Sequence, residues 1–557
     1  RFLEITHWLA INPRGHHFSI SLEVMNAQKT YIAQDTPSRS VHIEKKNKDD
    51  TVNIVLDSIS QKRQTLVFCS SKKAAESQAE KIAKANQSLF PQHKDLAEEL
   101  LRVLVNPTKQ CKRLASCIQR GIAFHHAGLV SKQRELIENA FRKGTLHAIC
   151  STPTLAAGLD LPAFRAIIRD TKRFGARGMA PIPVLEYLQM AGRAGRPGQE
   201  THGEALLLTK ATENKDYLER TYINGEVEDI FSKLAVEPVL RTYVLSLIAS
   251  ELITSTEALY AFFDKTFYAH QFGDTTKLHF TLDRMIRLLQ DWDMLEGEEK
   301  PSSMFSTASD LAKKMSDLKA TKLGSRVSEL YLDPLTAHQI ITGFAVLKDM
   351  EEPQVAILHA LSCTLEMRPL IRARAKDKES IQLFLEEEVL AVDEYDHYTN
   401  SQDDYENTVR TTQFLRAWIN EWLEEDILND FNVRPGEITA KTQRTLWLLH
   451  ASEELARLTK HHFLRKHFSK LQIRVQHGVK SELLPLLQFK QVGRVRARKL
   501  FNAGLVSTKK LQEADVETLV ELVGPKLAKD LKAQVGQDVE VEQKAKTSSS
   551  QATLGNF

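Results

Sequence analysis

The run Gln189-Met-Ala-Gly-Arg-Ala-Gly-Arg-Pro-Gly198 holds two arginines, Arg193 and Arg196, three residues apart on a glycine-punctuated turn behind a glutamine. A guanidinium stays charged at any working pH and meets phosphate oxygens in pairs. Two such forks suit the charge that builds on a polyphosphate during phosphoryl transfer. A second stretch, Ser151-Thr-Pro-Thr-Leu-Ala-Ala-Gly158-Leu-Asp160-Leu-Pro162, supplies small hydroxyls and backbone amides that can hold a nucleic-acid phosphate. In it, Gly158 and Asp160 allow close approach and hydrogen bonding to a nucleotide. Ser70-Ser71 and His125-His126-Ala-Gly-Leu129 precede these two. Each stretch alone is a weak signal, and their order along the chain makes a strong one.

Such loops need a scaffold that brings them to one edge. Thr65-Leu-Val-Phe-Cys69 reads as a buried strand ending in Ser70-Ser71, followed by an alanine-rich amphipathic helix over 72–85. Short strands are expected at 121–124, 147–150 and 205–208, with a helix near 131–142. Strands alternating with helices argue for a parallel α/β sheet over about 61–210, whose ligands lie at the C-terminal strand ends. After Thr209 the strand signal fades. The expected order is then a helical unit with an aromatic-rich stretch and a wing at 211–310, a helical bundle at 311–478 and a basic unit at 479–535. A polar tail at 536–557 should be disordered, and residues 1–60 match nothing well.

The chain has 557 residues, 42% hydrophobic and 26% charged, with a net charge of only +3. The small net charge hides segregation. Residues 141–198 carry nine Lys/Arg against three Asp/Glu, 487–510 carry seven and no acid, and 386–406 carry nine acids and no base. Segregated basic patches point to polyanion binding, and the acidic block to a solvated face. No apolar run is long enough to span a membrane, and no secretory leader is expected. Five irregularly spaced cysteines fit reduced thiols in a cytosol. His125 and His126 are adjacent and point apart, and no Cys-x-x-Cys occurs, so no zinc site is expected.

These motifs carry a family resemblance. Leu66-Val-Phe-Cys-Ser-Ser71, Phe124-His-His-Ala-Gly-Leu129, the 151–163 stretch and the double-arginine turn resemble motifs IV, its follower, V and VI of superfamily 2 helicases of the Ski2-like group. The match is closest to the archaeal fork-repair DNA helicases related to animal HELQ and the helicase part of polymerase theta. Ser232-Lys-Leu-Ala235 with Leu240-Arg241 resembles that family's winged-helix domain, and Leu330-Tyr-Leu-Asp-Pro-Leu-Thr-Ala337 its helical bundle. The resemblance implies that Gln189, Arg193 and Arg196 address ATP across a cleft between two RecA-like domains. Arg196 would be the arginine finger, supported by Arg193, with Gly158 and Asp160 on the nucleotide side. It further implies DNA contacts from Ser70, Ser71 and Thr152, and a strand-separating β-hairpin at 171–183 with Lys172, Arg173 and Arg177 flanking its tip.

In the bundle the resemblance implies a ratchet helix whose Trp447 stacks on single-stranded DNA, with Lys441 and Arg444 as displaced candidates for its basic position. Val492-Gly493-Arg494-Val-Arg496-Ala-Arg498 resembles a helix-hairpin-helix, in which Arg494, Arg496 and Arg498 would face DNA phosphate. Its usual first glycine is Gln491 here. Gln551, Leu554 and Phe557 resemble the peptide that plugs into the sliding clamp PCNA.

An ATP-driven motor also needs a phosphate cradle with its lysine and carboxylates for Mg²⁺. No G-x-x-x-x-G-K-[ST] occurs in these residues, and the chain opens on Arg1. The expectation is a portion of an ATP-dependent 3′→5′ fork-repair DNA helicase from an archaeal cytoplasm. Its first RecA-like domain, with the Mg²⁺ site, would lie elsewhere, in a separate half or an omitted one, with residues 1–60 as a possible remnant of its end. By itself the chain would be inactive. Two rivals remain: a non-catalytic DNA-binding adaptor tethered to PCNA, and a fragment of an RNA helicase of the Ski2 or Brr2 kind.

Overall fold

The computed structural model describes residues 4–11, 17–25, 40–86, 93–158, 161–175, 178–195, 202–209, 214–296, 317–391 and 402–537. Asp160, Arg177 and Arg196, the clamp-peptide residues Gln551, Leu554 and Phe557, and part of the expected wing lie outside them. By internal contacts the chain forms two units. The first is Arg1–Ile230 with Asn432–Thr439, and the second is Phe231–Phe431 with Ala440–Phe557.

The first unit is built on an eight-stranded sheet in the order β3-β2-β1-β10-β7-β4-β6-β5. Its parallel heart is β1 (Glu4–Ile11), β10 (His202–Leu208), β7 (Arg165–Ile168), β4 (Thr65–Phe68), β6 (Ala148–Ser151) and β5 (Ile122–His125). β2 (His17–Met25) and β3 (Ser40–Glu44) extend the β1 edge antiparallel. Three strands from residues 1–60 thus join the same sheet as the motif-bearing strands.

β4, β5, β6 and β7 are buried at every position. That is expected of short, largely apolar runs covered on both faces. The covering helices include α1 (Asp50–Ser60), α2 (Lys72–Ala85), α3 (His93–Arg102), α4 (Lys109–Ile118) and α5 (Ser131–Arg142). Beyond β6 come α6 (Thr154–Gly158) and α7 (Val184–Ala191). Leu66, Val67, Phe124, Ile149 and Ile167 are at most 0% exposed in the shared core. At the N-terminal end of β7, buried Arg165 bonds Glu204 at 2.7 Å and Asp57 at 3.0 Å, tying α1 to the sheet. The expected helices over 72–85 and 131–142 form with those bounds.

β8 (Lys172–Gly175) and β9 (Gly178–Pro181) pair antiparallel as a separate ribbon, a hairpin at the place the motifs marked. The register corrects one detail. Lys172 lies opposite Pro181 and Arg173 opposite Ala180, at the open end of the ribbon rather than at its tip between Gly175 and Gly178.

The second unit is helical in nearly all its described length. Arg241, 4% exposed, bonds Asp333 at 2.7 Å, so two sequence landmarks of this half meet in one buried ion pair. Asp333 also caps the Pro334–Leu347 helix through the Leu335 amide. The segment expected to be periodic over 440–460 is a 24-residue helix, Pro435–Leu458. The basic unit folds around its own core of Leu483, Leu486, Leu500, Leu519 and Leu531. No helix among the described residues is long and apolar enough to cross a membrane.

Candidate nucleic-acid interface

Because β4, β5, β6 and β7 run parallel, the residues after them emerge on one edge. The Ser70 amide, after β4, donates to Asp170 after β7 at 2.9 Å, locking two of these loops together. A groove of about 490 Å³ opens there, lined by Ser70, Ser71, Lys72, Lys73, Ala127, Thr152, Pro153, Thr154, Arg173, Asn432 and Arg434. The structure therefore brings together Ser70, Ser71, Thr152 and Arg173, the first and last of them 103 positions apart in sequence.

The start of α2 explains the groove's chemistry. Ser71 is its N-cap, accepting from the Ala74 amide at 3.2 Å, which leaves the hydroxyl hydrogen free to donate. The first turn holds no acid and instead carries Lys72 and Lys73. Cations beside the positive end of a helix cost a few tenths of a kcal/mol each, so this turn is arranged against its own stability. Glu437 answers Lys72, and an anion placed beside Lys73 would relieve the rest of the repulsion. Thr152 Oγ1 lies 2.8 Å from Thr154 Oγ1, a pair of exposed hydroxyls on the facing wall.

The wall contributed by 432–439 was not legible in the sequence. Arg434 Nε donates to Glu76 at 2.9 Å across 358 residues of chain, and Lys72 forms an ion pair with Glu437. Gly436 seats so closely that a Cβ would lie 2.4 Å from the Leu129 carbonyl oxygen and 2.5 Å from that of Ala127. Its amide donates to the Gly128 carbonyl at 3.0 Å.

Beneath that wall Glu76 collects four donors. His126 Nε2 (3.1 Å), Gln110 (2.9 Å) and Arg434 (2.9 Å) reach Oε1, and Arg113 (2.9 Å) reaches Oε2. Burial alone would raise its pKa; the His126 and Arg434 bonds overcome this and hold it at about 2. His126 Nδ1 accepts from the Gly128 amide at 3.1 Å, so the ring needs its proton on Nε2 and its neutral form. Burial lowers the His126 pKa against the pull of Glu76, in keeping with that state. The two histidines of the motif are thus structural: His125 bonds Glu138 at 2.9 Å on its own side.

Of the residues that the resemblance assigns to ATP, Gln189 is exposed on α7. Arg193 folds onto α6, with Nε 3.1 Å and Nη2 2.5 Å from the Ala156 carbonyl. It joins the double-arginine turn to the 151–163 loop within one lobe. Among the described residues nothing lies within 4 Å of the position a Cβ would take on Gly158. Lys172 is exposed, and Arg173 bonds Glu186 at 3.0 Å.

In the second unit several expected contacts are turned inward. Lys441, 8% exposed, donates to the Met367 and Pro369 carbonyls at 2.5 Å each, and Arg444 to that of Arg368 at 2.6 Å. The half-buried Trp447 donates from Nε1 to the Leu330 carbonyl at 3.1 Å. Arg498 grips Glu421 with two bonds, 2.6 and 2.8 Å, and also meets Glu482 at 2.7 Å. Arg494 donates to the Trp422 carbonyl and lies 5.1 Å over the Trp418 ring. Of the three hairpin arginines only Arg496 is exposed, donating to the Gln491 carbonyl at 2.8 Å. Gln491 itself adopts a φ of 67°, supplying the left-handed turn usually given to glycine.

A parallel sheet of this kind, with a hydroxyl-and-lysine groove at its C-terminal edge, defines a RecA-like helicase lobe. The sequence comparisons agree. Residues 47–198 match the helicase conserved C-terminal domain, 355–478 match domain 4 of archaeal helicases, and 483–536 match a SAM-like helix-hairpin-helix tandem. The chain is 38% identical over 532 residues to the ATP-dependent DNA helicase Hel308 of Methanocella arvoryzae, covering 91% of this chain and 68% of that protein. It is 35% identical to Hel308 of Methanococcus vannielii, covering 90% and 70%, and 34% identical to that of Pyrococcus horikoshii, covering 88% and 66%. The chain belongs to the Hel308 family of archaeal Ski2-like helicases.

Proposed function

We propose that this chain tracks DNA as part of an ATP-dependent 3′→5′ helicase acting on forked or stalled replication structures. The groove at the ends of β4 and β6 carries the reading. Its helix N-terminus bearing two lysines, its paired threonine hydroxyls and Arg173 form a surface suited to a phosphodiester backbone. ATP would be addressed from this lobe by Gln189, Arg193 and Arg196, beside Gly158 and Asp160. The phosphate cradle and Mg²⁺ would come from a first RecA-like lobe, since no G-x-x-x-x-G-K-[ST] occurs in this sequence. Residues 211–310 would act as the winged helix, 311–478 as the bundle, and Gln551, Leu554 and Phe557 as a tether to PCNA at the nucleoid.

The test is DNA-stimulated ATPase activity after mixing this chain with a matching first lobe, with and without Arg196→Ala. Activity that appears on mixing and collapses in the variant supports the reading. An inert mixture, or an unaffected variant, overturns it. Lys73→Ala with Arg173→Ala should separately weaken fork binding if the groove holds DNA.

A further inference from the structure

The His462–His477 helix buries Leu464, Phe468, Leu471, Arg474 and Val475, a spacing that assigns one face to the core of the second unit. Its opposite face exposes His462, Arg465, Lys466 and Lys470, and Lys460 is exposed just before it. From 459 to 481 the chain has six Lys/Arg and four His and no Asp or Glu. A solvated helix face normally intersperses both signs. Here, among the described residues, Lys460, Lys466 and Lys470 have no carboxylate partner, and Arg465 has only Glu453 at 3.7 Å. Glu453 is already shared with Ser469 and Gln472.

This arrangement works against the helix. Lys466 and Lys470 stand one turn apart, and like charges at that spacing cost roughly 0.2–0.5 kcal/mol. His467 between them has a lowered pKa, through burial first and then the two ammonium groups. Two apolar side chains, Phe463 and Ile473, are each 39% exposed on the same helix. Apart from the long Arg465–Glu453 contact, no ion pair among the described residues uses these cations.

We propose that the exposed face of this helix, through Lys460, Arg465, Lys466 and Lys470, is a second nucleic-acid contact surface that grips a phosphodiester backbone. Along an α-helix, residues four apart advance about 6 Å, close to two nucleotides at about 3.4 Å each, so successive lysines can meet alternate phosphates of one strand. The proposal rests on the reading that the protein acts on DNA, and extends it to a surface distinct from the β4–β6 groove.

The experiment is equilibrium binding of labelled forked DNA to the full chain across a salt series. The proteins are wild type, Lys466→Gln/Lys470→Gln and Lys466→Arg/Lys470→Arg. Each duplex phosphate contact contributes about 0.9 to the slope of log affinity against log salt, so the Gln pair should lower it by roughly 1.8. Affinity near 0.1 M salt should fall at least ~10-fold, and the Arg pair should keep wild-type slope and affinity. Wild-type binding with no salt dependence would sink the DNA reading itself. Normal wild-type binding with an unchanged Gln variant, or loss in both variants alike, overturns this surface alone.

Discussion

Replacing Glu76 by Gln tests how the 432–439 wall is held. The carboxylate is 3% exposed and receives His126, Gln110, Arg434 and Arg113. A glutamine has nearly the same shape, but its amide turns two hydrogens toward at least one donor and removes the charge. The native pKa of about 2, against an ordinary 4.5, sets the magnitude. At about 1.4 kcal/mol per pK unit the folded environment favours the ionised form by ~3 kcal/mol, in line with the roughly 3–5 kcal/mol lost when one partner of a buried pair is removed. The sign follows from linkage. A depressed carboxylate contributes stability that is complete above pH 4.5 and lost as pH falls through about 2. Hydrogen exchange of the α2 amides in the intact chain reads this locally. At pH 7, Glu76→Gln should speed their exchange about a hundredfold after correction for intrinsic rates. Wild type and variant should converge as pH drops from 4.5 toward 2. A variant as protected as wild type at pH 7, or a difference that persists at pH 2, would refute the electrostatic account of this wall.

Three further outcomes follow from particular residues. His359 is wholly buried with no partner for Nδ1 among the described residues, edge-on to Tyr405, and burial lowers its pKa to about 4. The unfolded chain takes up that proton first, so the stability of the second unit should fall by ~3 kcal/mol as pH drops from 6.5 to 4, and His359→Phe should flatten that part of the urea-midpoint profile. Gln491→Gly should stabilise the helix-hairpin-helix by about 0.5–1 kcal/mol, because glycine adopts a φ of 67° without the side-chain clash; a lowered unfolding midpoint would count against it. Gly436→Ala should cost roughly 1–3 kcal/mol by driving a methyl into two carbonyl oxygens. Proteolysis within 432–439 reads it, and unchanged resistance would argue that the segment does not seat as described.

The sequence by itself determined the elements of the first unit and the loops that carry its chemistry. Short apolar runs such as Leu66–Phe68 had to be buried strands, Ser71 followed by an alanine-rich period had to start a helix, and parallel topology then forced Ser70 and Thr152 to one edge. Lys72-Lys73 beside that cap and the acid-free 459–481 are legible too, as local charge patterns. Tertiary structure alone decided the rest. It carried Arg434 to Glu76 over 358 residues, joined Arg241 to Asp333, and turned Arg494, Arg498 and Lys441 inward onto carbonyls and carboxylates. Periodicity and capping are short-range effects written in neighbouring residues. Whether a given guanidinium faces solvent or a buried acceptor depends on which distant chain arrives beside it, and composition does not record that.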